Sequence, residues 1–161
     1  MPDRKNAKII KDSKIGVELT DAQCAVLSDL VEVKEYADGH VVVAEGAKDD
    51  RLRVVLSGAL AVARKSSDNG WVRLNVLTAG DLAGELAFLD SKPRYAALVA
   101  LGPTNLFSLQ RAKLESLLKQ DPLIVYRVMR AIARFAHEVQ SRSSSQMAEL
   151  TAYVFKTGAK Y

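Results

Sequence analysis

The chain has 161 residues, of which 48% are hydrophobic and 26% are charged, and its formal net charge is +4. This balance is typical of a globular domain with its own core and excludes a disordered chain. Cys24 is the only cysteine, which excludes an internal disulfide and a cysteine metal cluster, and we interpret it as a buried helix residue. No apolar run approaches the ~18 residues that a membrane span needs.

The first 18 residues or so are predicted to form a basic tail. Between residues 1 and 14, five lysines and arginines stand against two aspartates. The segment lacks the apolar core of a signal peptide, so we expect a cytoplasmic protein with a solvated N-terminus. The positive charge is diffuse and is not interleaved with aromatic residues, which argues against a nucleic-acid-binding surface.

A short helix is predicted over about 21–30, because Thr20 and Gln23 have the spacing of a capping box and apolar residues follow. Short β-type runs then extend to residue 110, with turn residues about every 7 to 12 positions. They are VEVKEY, HVVVAE, RLRVVLSG, ALAVARK, WVRLNVLTAGD, YAALVAL and TNLFSLQ. The segment SSDNG at 66–70 is interpreted as a hairpin turn. This pattern predicts an antiparallel sandwich or barrel.

Two helices are predicted after the strands. The run QRAKLESLLKQ at 110–120 is amphipathic, and Asp121 followed by Pro122 is typical of a helix start. Glycine and proline are then absent as far as Phe155, which predicts a helix of about 34 residues, or ~50 Å. The serine-rich segment 140–146 is a weaker helix former, so a break there is the alternative.

An apolar stripe with alternating spacings of three and four residues runs along this long helix. Its members are Val128, Ile132, Phe135 and Val139. Such a helix is too long for a small β domain to cover, so we predict a homodimer with these residues as its seam. Packing of the stripe on its own sheet is the alternative, and it accounts best for the first turns.

The stretch GDLAGELAFLDSKPRYAAL, from Gly80 to Leu98, contains a glutamate and an arginine within an apolar run. Buried charges are costly without partners, so Glu85 and Arg94 either pair with each other or face a ligand. The chain resembles the cyclic nucleotide-binding domain in the order of its elements: a β region interrupted by glycines, then a short helix and a long helix. It also carries GELA…PRYAA between two strands. That family includes the catabolite-activator regulators, kinase regulatory subunits and gated channels. The resemblance covers about 20–155.

The resemblance implies a mainly β fold: an eight-stranded antiparallel β-roll, a double-stranded jelly-roll-like barrel, with flanking helices and a long C-terminal helix. One domain would cover 1–161, with the N-terminal helix and β-roll at about 19–110 and the C-terminal helices at about 111–156. The glycines matching the family's strand-connecting turns are Gly39, Gly46 and Gly58.

The resemblance also implies a phosphate-binding cassette between Gly80 and Ala97. Arg94 would contact the phosphate, and Glu85 would accept a hydrogen bond from the ribose 2′-hydroxyl. Gly84 allows close backbone approach before a short helix whose N–H groups face the phosphate. The implied ligand-binding residues are Gly84, Glu85, Leu86, Ala87, Arg94, Tyr95 and Ala96. The long helix would contact the base through Gln140 or Ser143. Cyclic AMP is preferred over cyclic GMP because bacterial relatives commonly use it, and no metal is implied.

Two positions depart from the family pattern. Ala83 stands where a bulky apolar or aromatic residue is usual, and Tyr95 where serine, threonine or alanine is usual. The Tyr95 side chain can offer its hydroxyl, stack on the base or fill the pocket, and the last would abolish binding. The alternative function is therefore a degenerate domain that acts only in protein interaction or dimerisation.

The function implied by the resemblance is a sensor that captures a cyclic nucleotide and signals through its C-terminal helix to an unknown effector protein. It is not an enzyme. A cupin-type metal enzyme is a poor match, because it needs clustered histidines and the chain has only His40 and His137. No helix-turn-helix sequence follows the long helix, so we expect no sequence-specific DNA binding, and no membrane partner is expected.

Overall fold

The computed structural model describes residues 4–158, beginning with helices α1 (Arg4–Lys11) and α2 (Asp21–Ser28). Thr20 caps α2 as predicted. The Gln23 N–H donates to Thr20 Oγ1 at 3.2 Å, and Gln23 Oε1 accepts from the Thr20 N–H at 3.1 Å. Both ends of the capping box are therefore made. Cys24 is buried on this helix, as expected.

The prediction of a solvated N-terminal tail is wrong for the part of it that the structure describes, and residues 1–3 lie outside that part. Ile10, in α1, and Ile15, in the turn that follows, are both 0% exposed and belong to the main core. The lysines of α1 dominate the local composition, but two buried isoleucines are enough to attach this short segment.

Six antiparallel strands form one sheet, which confirms the β-roll with flanking helices. Its path is β1–β6–β3–β4, with β2 paired to β6 and β5 paired to β3. The strands are β1 (Val31–Tyr36), β2 (Val41–Val43), β3 (Arg51–Lys65), β4 (Trp71–Thr78), β5 (Leu82–Ala83) and β6 (Ala97–Gln110). The hairpin turn at 66–70 connects β3 to β4 as predicted, and its Ser66 N–H donates to the Gly70 carbonyl at 2.9 Å.

The described part of the chain has six strands instead of eight: β3 and β6 each combine two of the seven predicted runs, and the short β5 lies outside all of them. Gly58 lies inside β3, not in a connecting turn. Its φ is +78°, and an added β-carbon would lie 2.8 Å from the Thr104 Cα. The β3–β6 register shifts on both sides of Ser57. The strand thus bends, without ending, at a position that requires glycine.

Helix α3 (Glu85–Asp90) lies between β5 and β6, and the strands are followed by α4 (Arg111–Glu115), a 3₁₀ turn (Ser116–Lys119) and α5 (Pro122–Gly158). The break considered at 140–146 is absent, since α5 is continuous there. The Ser145 hydroxyl donates to the Ser141 carbonyl at 3.1 Å, which satisfies it within the helix.

Among residues 4–158, none of the helices combines the length and the apolar character that crossing a membrane demands.

The apolar stripe of α5 packs on its own domain, so the predicted dimer seam is wrong. Val128 and Ile132 are 0% exposed and Phe135 is 3% exposed, all within the main core, and Val139 packs partly buried against it. These side chains leave little surface for a second copy. The alternative of packing on its own sheet is correct, and it extends further along the helix than expected. Exposed apolar side chains lie beyond the stripe, at Met147, Leu150 and Phe155.

Strand β3 separates two apolar clusters. Leu52 and Val54 face the main core beneath the helices, whereas Val55 belongs to a second cluster inside the roll. Because side chains alternate along a strand, Arg53 lies on the same face as Val55. A charged side chain is therefore placed on the inner face of the roll, directly opposite Ala83 of β5.

Candidate functional site

The connection from β5 to α3 brings the backbone of Gly84 against Arg94. Gly84 has φ +78° and caps α3 without any side-chain hydrogen bond. A β-carbon added at Gly84 would overlap the Arg94 guanidinium. The position thus needs glycine for its backbone conformation and for the close approach of the arginine.

Arg94 is 7% exposed and incompletely paired. Its Nη2 donates to the Arg51 carbonyl at 2.8 Å and lies 3.5 Å from Asp49 Oδ2. Its Nε is buried without a hydrogen-bond partner. Burial lowers the pKa of Arg94, while the charge of Asp49 raises it. A buried guanidinium with an unused donor is suited to an anionic ligand.

Backbone hydrogen bonds hold Arg94 in place from both sides. The Arg94 N–H donates to the Ala47 carbonyl at 2.9 Å, and the Gly46 N–H donates to the Arg94 carbonyl at 2.7 Å. The loop before β3 and the segment before β6 are thereby joined. The side chain is aimed by a fixed backbone, which lowers the entropy lost when it engages a ligand.

Glu85 and Arg94 do not form an ion pair, which answers the question raised by the sequence. Asp49 is the acidic partner of Arg94. Within residues 4–158, Glu85 makes no ion pair, although it is partly buried. Burial raises the pKa of the Glu85 carboxyl, and its own backbone N–H and the charge of Arg94 act in the opposite direction.

The predicted ligand-binding residues line one cavity of about 240 Å³. They are Gly84, Glu85, Leu86, Ala87, Arg94, Tyr95 and Ala96. Tyr95 is 65% exposed, so it lies at the mouth and leaves the cavity open. Partial loss of water contact raises the pKa of the Tyr95 hydroxyl, and the charge of Glu85 raises it further.

Helix α5 reaches the cavity through Phe135 and Val139, not through the predicted Gln140 and Ser143. Successive helix residues are rotated by about 100°, so Gln140 points away from the stripe that contains Val139. Ser143 continues that stripe but lies one turn further along. Both side chains are exposed further along α5 and do not line this cavity, so their contact with the base stays a prediction.

Two further charged residues at the site, Asp49 and Arg53, are not evident from the sequence. Arg53 is 7% exposed and its Nη1 donates to Asp49 Oδ2. The run DDRLR contains both residues, but it reads as an ordinary charged entry to a strand. The folded sheet shows that this arginine points inward, because Arg53 shares a face with Val55 and lies opposite Ala83.

The family model for the cyclic nucleotide-binding domain matches residues 33–121. The chain belongs to this family. The cassette, with Gly84, Glu85 and Arg94, lies within the matched region, whereas the α5 residues that line the cavity, Phe135 and Val139, lie beyond it. As a cyclic nucleotide-binding domain, the chain belongs to a class of regulatory domains.

Curated relatives of this cyclic nucleotide-binding domain include transcription factors and kinase subunits. The CRP-like cAMP-activated global transcriptional regulator of Mycobacterium tuberculosis is 29% identical over 119 residues, which cover 74% of this chain and 52% of that protein. The cAMP-dependent protein kinase regulatory subunit of Mycosarcoma maydis is 33% identical over 98 residues, or 61% of this chain and 18% of that protein. The chain thus spans about half of the first relative's length.

Solved structures have the same fold. A cyclic nucleotide-binding domain from Methylobacillus flagellatus matches with a TM-score of 0.78 at 21% identity, covering 90% of this chain and 82% of that one. The N-terminal domain of a transcriptional regulator from Streptomyces coelicolor matches with a TM-score of 0.70 at 29% identity, covering 83% and 95%.

Proposed function

We propose that the chain is a cytoplasmic sensor domain that binds a cyclic nucleotide in the cavity around Arg94 and has a regulatory, not a catalytic, role. The observation that carries this proposal is the meeting of Gly84, Glu85 and the incompletely paired Arg94 in one cavity. Membership of the family supports it, as does the cAMP-activated relative. Cyclic AMP is the preferred ligand over cyclic GMP.

Arg94 and Glu85 have complementary roles in this proposal. The unused Nε of Arg94 and its Nη atoms would donate to the phosphate oxygens, forming charge-assisted hydrogen bonds. The Glu85 carboxylate would accept from the ribose 2′-hydroxyl, the group that distinguishes a 3′,5′-cyclic ribonucleotide from its deoxy analogue. Leu86 and Ala87, at the start of α3, line the same cavity, and their backbone N–H groups would donate to the phosphate.

The base would lie between Tyr95 at the mouth and the α5 side chains Phe135 and Val139. Aromatic stacking with Tyr95 suits any base, because every base has a π face. Contact with Phe135 places the ligand against the helix that continues out of the domain. The proposed signal therefore passes through α5, whose packing would change when the cavity fills.

The distal part of α5 supports a second proposal, a homodimer. Its side chains Gln140, Ser143, Ser144, Met147, Ala148, Thr151, Ala152 and Phe155 follow one another at helical spacing and form a shallow apolar groove. Met147 is 64% exposed and Phe155 is 74% exposed. The same face of a second α5 would cover it in a two-fold arrangement.

Calorimetric titration tests the sensor proposal. The chain is titrated with cyclic AMP, cyclic GMP and linear AMP, and we expect saturable binding of a cyclic nucleotide and none of linear AMP. Thermal unfolding in the presence of the same ligands gives an independent readout, since a ligand that binds only the folded chain raises the unfolding temperature. If no ligand binds or stabilises the chain, the alternative remains: a degenerate domain that acts only in protein interaction or dimerisation.

A further inference from the structure

Two charged residues beside Arg94, the buried Arg53 and the partly buried Asp49, are linked to it by charge. The side chains of Arg53 and Asp49 are 8% and 15% exposed. Asp49 Oδ1 accepts from the Arg51 N–H at 3.1 Å. Asp49 Oδ2 accepts from Arg53 Nη1 and also lies 3.5 Å from Arg94 Nη2. One carboxylate oxygen is therefore shared by two guanidinium groups.

The two arginines do not share this oxygen equally. Arg53 makes the close contact, whereas the 3.5 Å contact of Arg94 is at the limit of a hydrogen bond. The firm bond of Arg94 is to the Arg51 carbonyl, and its Nε has no partner. Asp49 thus orients Arg94 without occupying it.

We propose that Arg53 is a positioning residue that holds Asp49 and so keeps Arg94 available for the anionic ligand. This inference rests on the proposed function. The three side chains carry a net charge of +1, and removal of Arg53 would bring it to zero. Arg94 would then be the sole arginine paired with Asp49. Binding a phosphate would take that last cation from a carboxylate that is only 15% exposed, which is unfavourable.

The departure at Ala83 fits this role for Arg53. The two residues are directly opposite in the β3–β5 ladder, and such cross-strand neighbours have β-carbons about 4.5–5.5 Å apart. Ala83 is 1% exposed and also lines the cavity. A bulky side chain at this position would occupy the space beside Arg53. The small side chain of Ala83 therefore leaves room for the inward-pointing side chain of Arg53.

A mutant cycle with cyclic AMP as the calorimetric probe tests this inference on the full chain. Arg53→Met should weaken binding on the order of 10- to 100-fold, whereas Asp49→Asn should bind at least as tightly as the wild type. The double variant should return to within about threefold of the wild type, because the carboxylate that captures Arg94 is gone. Arg53→Lys keeps a cation beside Asp49 and should bind more tightly than Arg53→Met.

Arg64→Met is the matched control, because it removes an exposed arginine paired with Glu45 outside the cavity. Its affinity should match the wild type. If Arg53→Met fails to fold, the double variant is compared with Asp49→Asn instead. A tenfold lower affinity of the double variant in that comparison overturns the inference. Equal affinities of Arg53→Met and the wild type also overturn it. So does a double variant that loses as much affinity as Arg53→Met alone. Failure of both the wild type and Asp49→Asn to bind overturns the proposed function itself, and this inference with it.

Discussion

The guanidinium of Arg94 lies against the α-carbon of Gly84, in the space that any side chain at that position would take. The contact joins the start of α3 to the segment before β6, so the two halves of the cassette constrain each other. A change at Gly84 therefore acts on the proposed phosphate contact as well as on the local backbone.

Gly84→Ala is expected to weaken cyclic nucleotide binding at least about tenfold, because the new methyl group displaces Arg94. Gly39→Ala is the control. Gly39 has φ +75°, close to the +78° of Gly84, but a β-carbon there meets no atom within 4 Å. Both variants should lose about 1–2 kcal/mol in the free energy of unfolding from the left-handed backbone. Only Gly84→Ala should lose affinity in calorimetry, and equal affinities for the two variants would contradict this account.

Arg94→Ala should reduce binding more than Glu85→Ala. Removing Arg94 leaves the phosphate without its main counter-ion, a loss of about 2–5 kcal/mol. Glu85 would lose one charge-assisted hydrogen bond to a neutral hydroxyl, worth about 1.5–3 kcal/mol, and its removal also relieves repulsion of the phosphate. Titration of both variants with cyclic AMP gives the order directly. A larger loss for Glu85→Ala would mean that the ligand is recognised chiefly through its sugar.

Tyr95→Ser is expected to weaken binding about 5- to 100-fold, the range of a lost base-stacking contact. The structure supports this direction because Tyr95 is 65% exposed and the cavity stays open beside it. Tyr126→Ser removes a tyrosine of similar exposure, 59%, that does not line the cavity, and should leave affinity unchanged. A gain of affinity in Tyr95→Ser would identify the tyrosine as an obstruction.

The raised pKa of Glu85 predicts a pH-dependent stability. Because burial favours its protonated form, ionisation costs the folded state more than the unfolded state. The wild type should therefore lose stability relative to Glu85→Gln as the pH rises from the unfolded pKa of about 4.3 through the raised folded pKa. Urea unfolding without ligand should give similar stabilities near pH 4 and a more stable Glu85→Gln variant at pH 7.

Glu32→Gln is the control of opposite sign. Lys113 lowers the pKa of Glu32, first through its hydrogen bond to the carboxylate and then through its positive charge. This variant should be less stable than the wild type at neutral pH, with a difference that disappears as the pH falls through the lowered folded pKa and shrinks in high salt. A Glu85→Gln variant less stable than the wild type at pH 7 would show that the Glu85 carboxylate is stabilised in the folded chain.

Met147→Asp should convert a homodimer into a monomer in light scattering at micromolar concentration, because it places a charge in the apolar groove of distal α5. Leu123→Asp changes another exposed apolar residue of α5, 46% exposed and outside the groove, and should remain dimeric. Phe135→Asp should instead unfold the domain, since Phe135 is a core residue. A monomeric wild type would refute the homodimer.

The parts of the fold that are determined by residues close together in the sequence could be predicted. The capping box of Thr20 and Gln23, the hairpin at 66–70 and the long α5 are specified by short patterns. The attachment of α1 could not be predicted, because the burial of Ile10 depends on the distant segments that pack against it.

The site could be predicted only as far as its cassette. Gly84, Glu85 and Arg94 share one short segment, so the family resemblance identifies them together. Asp49 lies 45 positions before Arg94, and its choice of partner is decided by the folded sheet. The dimer seam was assigned wrongly because a spacing of three and four residues is the same whether a helix packs on its own domain or on a second copy.

Because α5 runs unbroken past Val139, a small tilt of the helix at the cavity wall would be amplified along its length. Gly158 lies nineteen positions after Val139, a distance of about 28 Å at 1.5 Å per residue. A tilt of only about 10° at Val139 would move the far end by about 5 Å, nearly the pitch of one helical turn. A rearrangement of side chains too small to alter the roll would thus become a displacement large enough to change which surface the end of α5 presents.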